Sequence, residues 1–147
     1  MRKKRTEVAL SEFERCVCFQ LTSASQKIRR RYRDGIAKYQ LTHGQFFMLC
    51  AILEEEGLLP SQLADKTELD RPTATGLLDR LERDGWIERH TEPSDRRMYR
   101  ISPSAKAIKH KGVLLNLFEQ TNSHFINRFT PDEWEQFQEY LNRLELP

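Results

Sequence analysis

The first feature along the chain is a long hydrophobic stripe that recurs every three or four residues. Its members are Leu10, Phe13, Val17, Leu21, Ala24, Ile28, Tyr32, Ile36 and Tyr39. This spacing is typical of one face of an α-helix, so it predicts a first helix from about Leu10 to Tyr39. A helix of about 30 residues is long for a globular protein. Gly35 is expected to weaken it near its end.

Three shorter helices are predicted between residues 42 and 85. Residues that cap or stop helices mark their ends: Thr42 and Gln45 as a capping box before the second helix, Gly57 after it, Asp70 and Pro72 at the start of the fourth, and Gly85 at its end. The short third helix runs from about Pro60 to Lys66. Three helices joined so closely are typical of a helix-turn-helix unit.

A hairpin is predicted directly after the helix-turn-helix, over Trp86–Ile101. Its tip carries Pro93, Ser94 and Asp95, and then two arginines, Arg96 and Arg97. The strand pattern places Tyr99 and Ile101 on one face, and Met98 and Arg100 on the other. A helix-turn-helix followed by a hairpin with a basic tip predicts a winged helix, a fold that binds DNA.

Two further helices are predicted at the carboxyl end of the chain. Ser102 and Pro103 would cap the fifth, which runs to about Arg128, and a capping box at Thr130–Glu133 opens the sixth. The chain is therefore predicted to be mainly α, with three parts. Residues 1–41 would form an N-terminal dimerisation helix, 42–101 a winged helix-turn-helix DNA-binding lobe, and 102–147 C-terminal dimerisation helices. Two recognition helices in a symmetric homodimer would match a palindromic operator.

The net charge of only +2 means that DNA binding depends on where the charges sit. The candidates for contacts to double-stranded DNA are Arg71, Thr73, Thr75 and Arg80 on the fourth helix, and Arg96 and Arg97 at the hairpin tip. Asp95 would hold the tip in shape. Ion pairs on a solvated helix are the alternative interpretation for Arg80, Glu82 and Arg83.

Other classes of protein find little support in the composition. No apolar run reaches the length of a membrane span, and the basic N-terminus lacks the apolar stretch of a signal peptide. An odd number of cysteines, three, suits a reducing, cytoplasmic location. The basic run at residues 2–5 is expected to be a solvated tail. No nucleophile–base set, metal-ligand cluster or phosphate-binding glycine loop can be assembled, so we expect no enzyme, no cofactor and no metal.

Two segments carry a resemblance to a known family. The runs LTHGQFFMLCAIL and LADKTELDRPTATGLLDRLERDGWIERHTEPSDRRMYRIS resemble the MarR family of bacterial transcriptional regulators. The resemblance implies a homodimer that represses genes until a signal releases it from DNA. It also implies that Asp95 and Arg97 support the wing while Arg96 enters the minor groove. Gly76 stands where many relatives carry arginine or another polar residue.

The signal is open between two interpretations. By resemblance to the hydroperoxide-sensing branch of the family, Cys18 would be a reactive thiol and Tyr32 would hold its thiolate, although His43 replaces a second tyrosine. Cys16, Cys18 and Cys50 all lie beside apolar residues, which favours buried, structural cysteines instead. The other switch is a small aromatic effector in a cleft lined by Tyr32, Tyr39, His43 and Phe47. A winged-helix module that binds protein is a third alternative.

Overall fold

The computed structural model describes residues 11–145. It contains six helices and one antiparallel hairpin in these residues: α1 Val17–Ala37, α2 His43–Glu54, α3 Pro60–Lys66, α4 Arg71–Arg83, β1 Ile87–Glu92, β2 Asp95–Pro103, α5 Ala105–Ile126 and α6 Pro131–Asn142. The predicted mainly α winged helix is confirmed. Leu10 and the basic run at residues 2–5 lie outside the described residues.

The first helix is shorter than the hydrophobic stripe predicted. Residues 12–15 form turns, in which the Cys16 amide donates to the Phe13 carbonyl over 3.1 Å, and α1 begins only at Val17. It ends at Ala37, because Gln40 takes a left-handed backbone with φ of 56°. The spacing of apolar residues indicates which face is apolar, whereas local turns decide where a helix begins and ends.

Helices α1 and α5 add Tyr32, Ile36, Ala107 and Leu114 to the hydrophobic core, but most of this core lies in the central lobe, which we define as residues 42–101. Its fully buried side chains are Phe46, Met48, Leu49, Ile52, Leu53, Leu63, Leu78, Leu81, Trp86 and Ile101. Residues 57–58 lie beside β2 and form a short antiparallel bridge with it. The Gly57 amide donates to the Ile101 carbonyl over 2.9 Å, and the Ile101 amide donates to the Leu58 carbonyl over 3.0 Å. The lobe is thereby held together by helices and hairpin alike.

The fifth helix begins later than Ser102–Pro103 predicted. Strand β2 continues to Pro103, and Ser104 is the N-cap. The Ser104 hydroxyl accepts from the Ala107 amide over 3.2 Å and donates to the Gly85 carbonyl over 2.6 Å. Because this bond depends on the fold of the lobe, the sequence alone did not distinguish the two serines. The helix ends at Ile126, two residues short of the predicted Arg128.

Helices α1 and α5 approach closely at Gly35. A Cβ atom there would lie 2.6 Å from Leu117 Cδ2, which no real Cβ contact tolerates. The Tyr32 hydroxyl donates to the Phe118 carbonyl over 3.5 Å, one helical turn before this contact. Gly35, expected only to weaken α1, therefore leaves room for the Leu117 side chain of α5 against the backbone of α1.

The rest of the stripe on α1 has no cover within the described part of the chain. Of its members in α1, only Tyr32 and Ile36 are buried. Large apolar side chains stay exposed on this helix and on α6, among them Val17, Leu21, Ile28, Phe137 and Leu141, and Leu144 is exposed just after α6. Helix α6 buries no residue at all. Helices α1 and α6 are thus amphipathic, and in the single chain much of their apolar faces is exposed to solvent.

Candidate nucleic-acid interface

Helix α4 is fixed at its start by Asp70. The carboxylate accepts from the Thr73 amide over 2.8 Å and from the Thr73 hydroxyl over 2.7 Å, and these hydrogen bonds lower the pKa of Asp70. Leu77, Leu78 and Leu81 turn inward and are buried. The capped helix therefore presents its other face, with Thr75 and Arg80 exposed, away from the lobe.

Two of the predicted contact residues on α4 already bind protein groups. Arg71 lies 3.1 Å from the Asp65 carboxylate and donates to the Ser61 carbonyl, both on α3. The Thr73 hydroxyl is engaged by Asp70. Arg80, in contrast, has no carboxylate partner within residues 11–145. The exposed side chains on this face that are not engaged by neighbouring protein groups, Thr75 and Arg80, therefore lie one or more turns into the helix.

Ion pairing accounts for part of the charge on α4, as the alternative interpretation proposed. Arg83 pairs with Asp84 over 3.0 Å, and Glu82 pairs with Arg89 over 3.1 Å. The Arg83–Asp84 pair is exposed and contributes little to stability, whereas the Arg89 side chain is only 24% exposed. Asp84 also accepts from the buried Gln45 amide group over 3.3 Å, which connects the end of α4 to the start of α2.

The tip of the wing, the hairpin of β1 and β2, is irregular. Thr91 pairs with Tyr99 while the next residue, Glu92, pairs with Asp95, so residues 96–98 bulge out of the ladder. The Asp95 carboxylate accepts from the Arg97 amide over 2.9 Å across the start of the bulge. Arg96 and Arg97 are exposed, and neither side chain has a carboxylate partner among residues 11–145. The bulge therefore presents two free guanidinium groups.

A clamp that was not predicted from the sequence joins the wing to α4 through Arg89, Asp79 and Glu82. Arg89 on β1 lies 2.5 Å from Asp79 and 3.1 Å from Glu82, both on α4, and its guanidinium sits 4.9 Å from the centre of the Tyr99 ring. The only sequence signal was the spacing of three between the two acids, which places them on one helix face. The clamp fixes the wing relative to the recognition helix.

A second contact anchors the base of the wing. Arg100 lies 2.5 Å from Glu92 on the neighbouring strand and donates to the Gly57 carbonyl over 2.9 Å. Three wing arginines thus differ in surroundings: Arg100 binds within the lobe, whereas Arg96 and Arg97 extend from the bulge.

The predicted effector residues do not meet in one cleft. The rings of Tyr32 and His43 lie edge to face with centres 6.2 Å apart, and Phe47 contacts both. Tyr39 lies elsewhere, packed on Trp86 and His110 with ring centres 6.1 and 5.3 Å away. Tyr32, His43 and Phe47 are therefore neighbours, whereas Tyr39 does not lie with them.

The cysteines divide into two environments. Cys50 is buried, and burial, followed by the charge of Glu54, raises the pKa of its thiol to about 12. Cys16 and Cys18 are exposed, so the expectation that all three are buried is wrong for these two. Cys18 and Tyr32 are about 21 Å apart along one helix, at 1.5 Å per residue. Within one chain they do not meet.

Two pockets lie beside the helices that flank the lobe. One, of about 570 Å³, opens between α2 and α5 and is lined by Phe47, Cys50, Ala51, Glu54, Lys66, Thr67, Leu115, Phe118 and Glu119. The other, of about 410 Å³, lies among α1, α5 and α6, where Ile28, Phe125 and Phe137 make it strongly apolar. Both are large enough for a small organic molecule or for side chains of a second protein chain.

Over residues 11–145, no three histidine, cysteine, aspartate or glutamate side chains are grouped so that they could hold a metal ion. In the same residues, no helix has the length and apolarity needed to span a bilayer.

Comparison with known proteins places this geometry in context. The model of the MarR family matches residues 41–99. The transcriptional regulator SarZ of Staphylococcus saprophyticus is 32% identical over 112 residues, which cover 76% of this chain and 77% of SarZ. The organic hydroperoxide resistance transcriptional regulator of Bacillus subtilis is 28% identical over 117 residues, covering 75% of this chain and 80% of that protein. The chain spans only half the length of another relative, the regulator TtmR of Methylorubrum extorquens.

Among solved structures, the MepR–DNA complex of S. aureus matches with a TM-score of 0.79 and 20% sequence identity. The match covers 88% of this chain and 96% of MepR. At this identity the likeness shows the shared winged-helix fold alone.

Proposed function

Because this chain belongs to the MarR family of DNA-binding transcriptional regulators, we propose that it is a repressor that binds a palindromic operator as a homodimer. The observation that carries the proposal is the pair of unpaired guanidinium groups at Arg96 and Arg97, held beside the free face of α4. Guanidinium groups at a wing tip are favoured by the negative potential of a narrow minor groove.

The proposed contacts follow the two elements. Thr75 and Arg80 lie on the exposed face of α4 that would enter the major groove, with Thr75 near base edges and Arg80 near the backbone. Arg96 would enter the minor groove, while Asp95 and Arg97 support the tip. Thr73 and Arg71 lie at the helix start, where Arg71 would exchange Asp65 for a phosphate.

A gel-shift titration against the chain's own upstream DNA tests the wing. We expect Arg96→Ala with Arg97→Ala to weaken binding at least tenfold, on the order of 1.4 kcal/mol, and to lower the salt slope. Arg143→Ala, which removes an exposed arginine at the end of α6, is the control. If the double variant keeps its affinity and slope, the wing assignment is wrong. If no DNA shift occurs even at low salt, the protein-binding alternative is favoured.

The homodimer is supported by the uncovered stripes of the flanking helices. Val17, Leu21 and Ile28 on α1 are 55%, 40% and 38% exposed, and α6 adds Phe137 and Leu141 at 37% each. Exposed apolar surface of this kind marks an interface. We propose that α1, α5 and α6 pair with the same helices of a second copy. This arrangement agrees with the predicted division of the chain into dimerisation helices at residues 1–41 and 102–147 and a DNA-binding lobe at residues 42–101.

The proposed signal is a small aromatic effector in the pocket between α2 and α5. This pocket lies where the lobe meets α5, and Phe47 and Phe118, whose ring centres are 6.1 Å apart, give it aromatic walls. Ala51→Phe would fill the space. We expect this variant to bind DNA normally but to lose release by benzoate, measured by gel shift. Equal release from both proteins would contradict this location for the effector.

Thiol oxidation at Cys18 is the second candidate signal, favoured by the exposure of this cysteine and by the likeness to a hydroperoxide resistance regulator. If it operates, cumene hydroperoxide should release the wild type from DNA but not Cys18→Ser. Cys50→Ser, at a buried thiol, is the control. Identical release of the wild type and Cys18→Ser would exclude Cys18 as the sensor.

A further inference from the structure

A third pocket lies between α1 and the start of α2 and has a different chemistry. It is about 260 Å³ in volume and is lined by Gln26, Arg29, Arg30, Arg33 and His43. We call it the arginine pocket. It joins the middle of α1 to the first residue of α2. Its lining consists of hydrogen-bond donors with an excess of positive charge.

The positive charge of the arginine pocket is not neutralised by the protein. None of its three arginines has a carboxylate within 4 Å among residues 11–145. Arg29 and Arg33 are also four residues apart, so their like charges repel each other on one helix face. A helix that gathers like charges without a partner acid is stabilised when an anion binds between them.

His43 lies in the wall of this pocket. Burial, and then the charges of Arg29 and Arg33, lower the pKa of its imidazole. Its Nδ1 atom is buried and has no hydrogen-bond partner. Such an unsatisfied polar atom is uncommon in a folded protein. Its ring meanwhile packs on Phe47, with centres 6.5 Å apart, which holds it at the pocket wall.

The start of α2 adds backbone donors to the same place. Thr42 satisfies the Gln45 amide through its hydroxyl and the Phe46 amide through its carbonyl. The amides of His43 and Gly44 have no acceptor in the described part of the chain. Free amides at a helix N-terminus favour an anion, and one of these two belongs to His43, which also lines the arginine pocket.

We propose that the arginine pocket binds a small oxyanion, a phosphate or carboxylate group of a free metabolite. Guanidinium groups bind such planar or tetrahedral oxyanions with two parallel hydrogen bonds, and the pocket offers three of them. This site is separate from the arginines of the wing and from the pocket between α2 and α5.

The experiment is an NMR titration of the free protein, without DNA, with inorganic phosphate. Sodium chloride holds the ionic strength constant, and the imidazole resonances of the four histidines are followed. The His43 resonance is assigned by its loss in His43→Gln. We expect it to move and saturate, while those of His90, His110 and His124 stay in place. His124 is a stringent internal control, since Arg31 and Arg128 also lower its pKa, after burial.

Substitutions identify the groups that bind. Arg29→Gln and Arg33→Gln should each weaken phosphate binding about tenfold, as expected for loss of a charge-assisted hydrogen bond. Arg31→Gln removes the same charge from the same helix outside the pocket and should leave binding unchanged. Arg33→Lys keeps the charge but not the paired donors, and should fall between the two.

Three results would overturn the proposal. In the first, all four histidine resonances move alike, as for a general salt effect. In the second, Arg29→Gln and Arg33→Gln bind phosphate as the wild type does. In the third, these variants weaken DNA binding and its salt slope but leave the phosphate titration unchanged, so that the cluster contacts the DNA backbone. If the wild-type protein does not bind DNA at all, the proposed repressor function is contradicted, but the result of the phosphate titration is not affected.

Discussion

Apolar residues recur at helical spacing both in the central lobe and in the helices that flank it, but the two regions differ in how these side chains are covered. In the lobe, Phe46, Leu49 and Leu78 are 0% exposed, and each faces another element of the same chain. On α6, Phe137 and Leu141 also lie at helical spacing, yet each is 37% exposed. Periodicity therefore predicts that a face will be buried, but it does not predict whether the cover comes from the same chain.

The difference has a consequence for stability. A side chain buried within one chain stabilises that chain at any concentration, whereas one buried between copies stabilises it by mass action. The lobe is expected to be stable by itself, while the flanking helices would gain stability with protein concentration.

Phe46→Ala should have the largest effect. Removing a fully buried phenylalanine leaves a cavity and should lower the free energy of unfolding by about 3–5 kcal/mol. Urea denaturation at several protein concentrations measures it. Phe137→Ala, the same change at a partly exposed site on α6, is the matched control. Its cost should grow with protein concentration, and that of Phe46→Ala should not. Equal, concentration-independent costs would contradict the division between lobe and flanking helices.

Leu141→Glu should separate the copies. A carboxylate within an apolar interface costs on the order of 2 kcal/mol or more, so dimer affinity should fall at least about thirtyfold. Sedimentation measures the dissociation constant. Gln138→Glu adds the same charge on the polar face of α6 and should leave the dimer intact. If both variants sediment as the wild type does, α6 is not part of the interface.

A pair of matched caps gives the smallest effect. Thr42 and Thr130 each accept from an amide three residues later over 3.2 Å, within complete capping boxes. Replacing either threonine with alanine should cost about 1 kcal/mol. For Thr42→Ala the loss should appear in unfolding of the lobe, and for Thr130→Ala in dimer formation. If Thr130→Ala destabilises the lobe as much as Thr42→Ala does, the lobe and the flanking helices unfold together.

The sequence predicted the lobe better than its surroundings because the ends of α2, α3 and α4 are marked locally. The capping box at Thr42, the N-cap Asp70 and the left-handed Gly85, with φ of 77°, act within a few residues. The start of α1 lacks such a signal, since Cys16 makes no side-chain cap. The start of α5 depends on a hydrogen bond from Ser104 to Gly85, distant in sequence.

The candidate site was predictable to a similar extent. A basic wing tip beside a recognition helix follows from the order of the elements, and the structure places Arg96 and Arg97 on a bulge. The ion pairs of Arg71 and Arg89 join separate elements, so no local pattern revealed them. The exposure of Cys16 and Cys18 was missed for a related reason. Their apolar neighbours in the sequence suggested burial, but these neighbours lie on a helix face that the single chain does not cover.

The clamp at Arg89 has a consequence for how such a regulator changes its target during evolution. The contacts that hold the wing in place end at its base, with Arg89 and Arg100, whereas residues 96–98 leave the ladder and only the Arg97 backbone is held, by Asp95. Substitutions in the bulge therefore alter what the wing touches at little cost to folding. Duplicated copies of the gene are free to diverge in recognition at the tip while the frame that aims it stays the same.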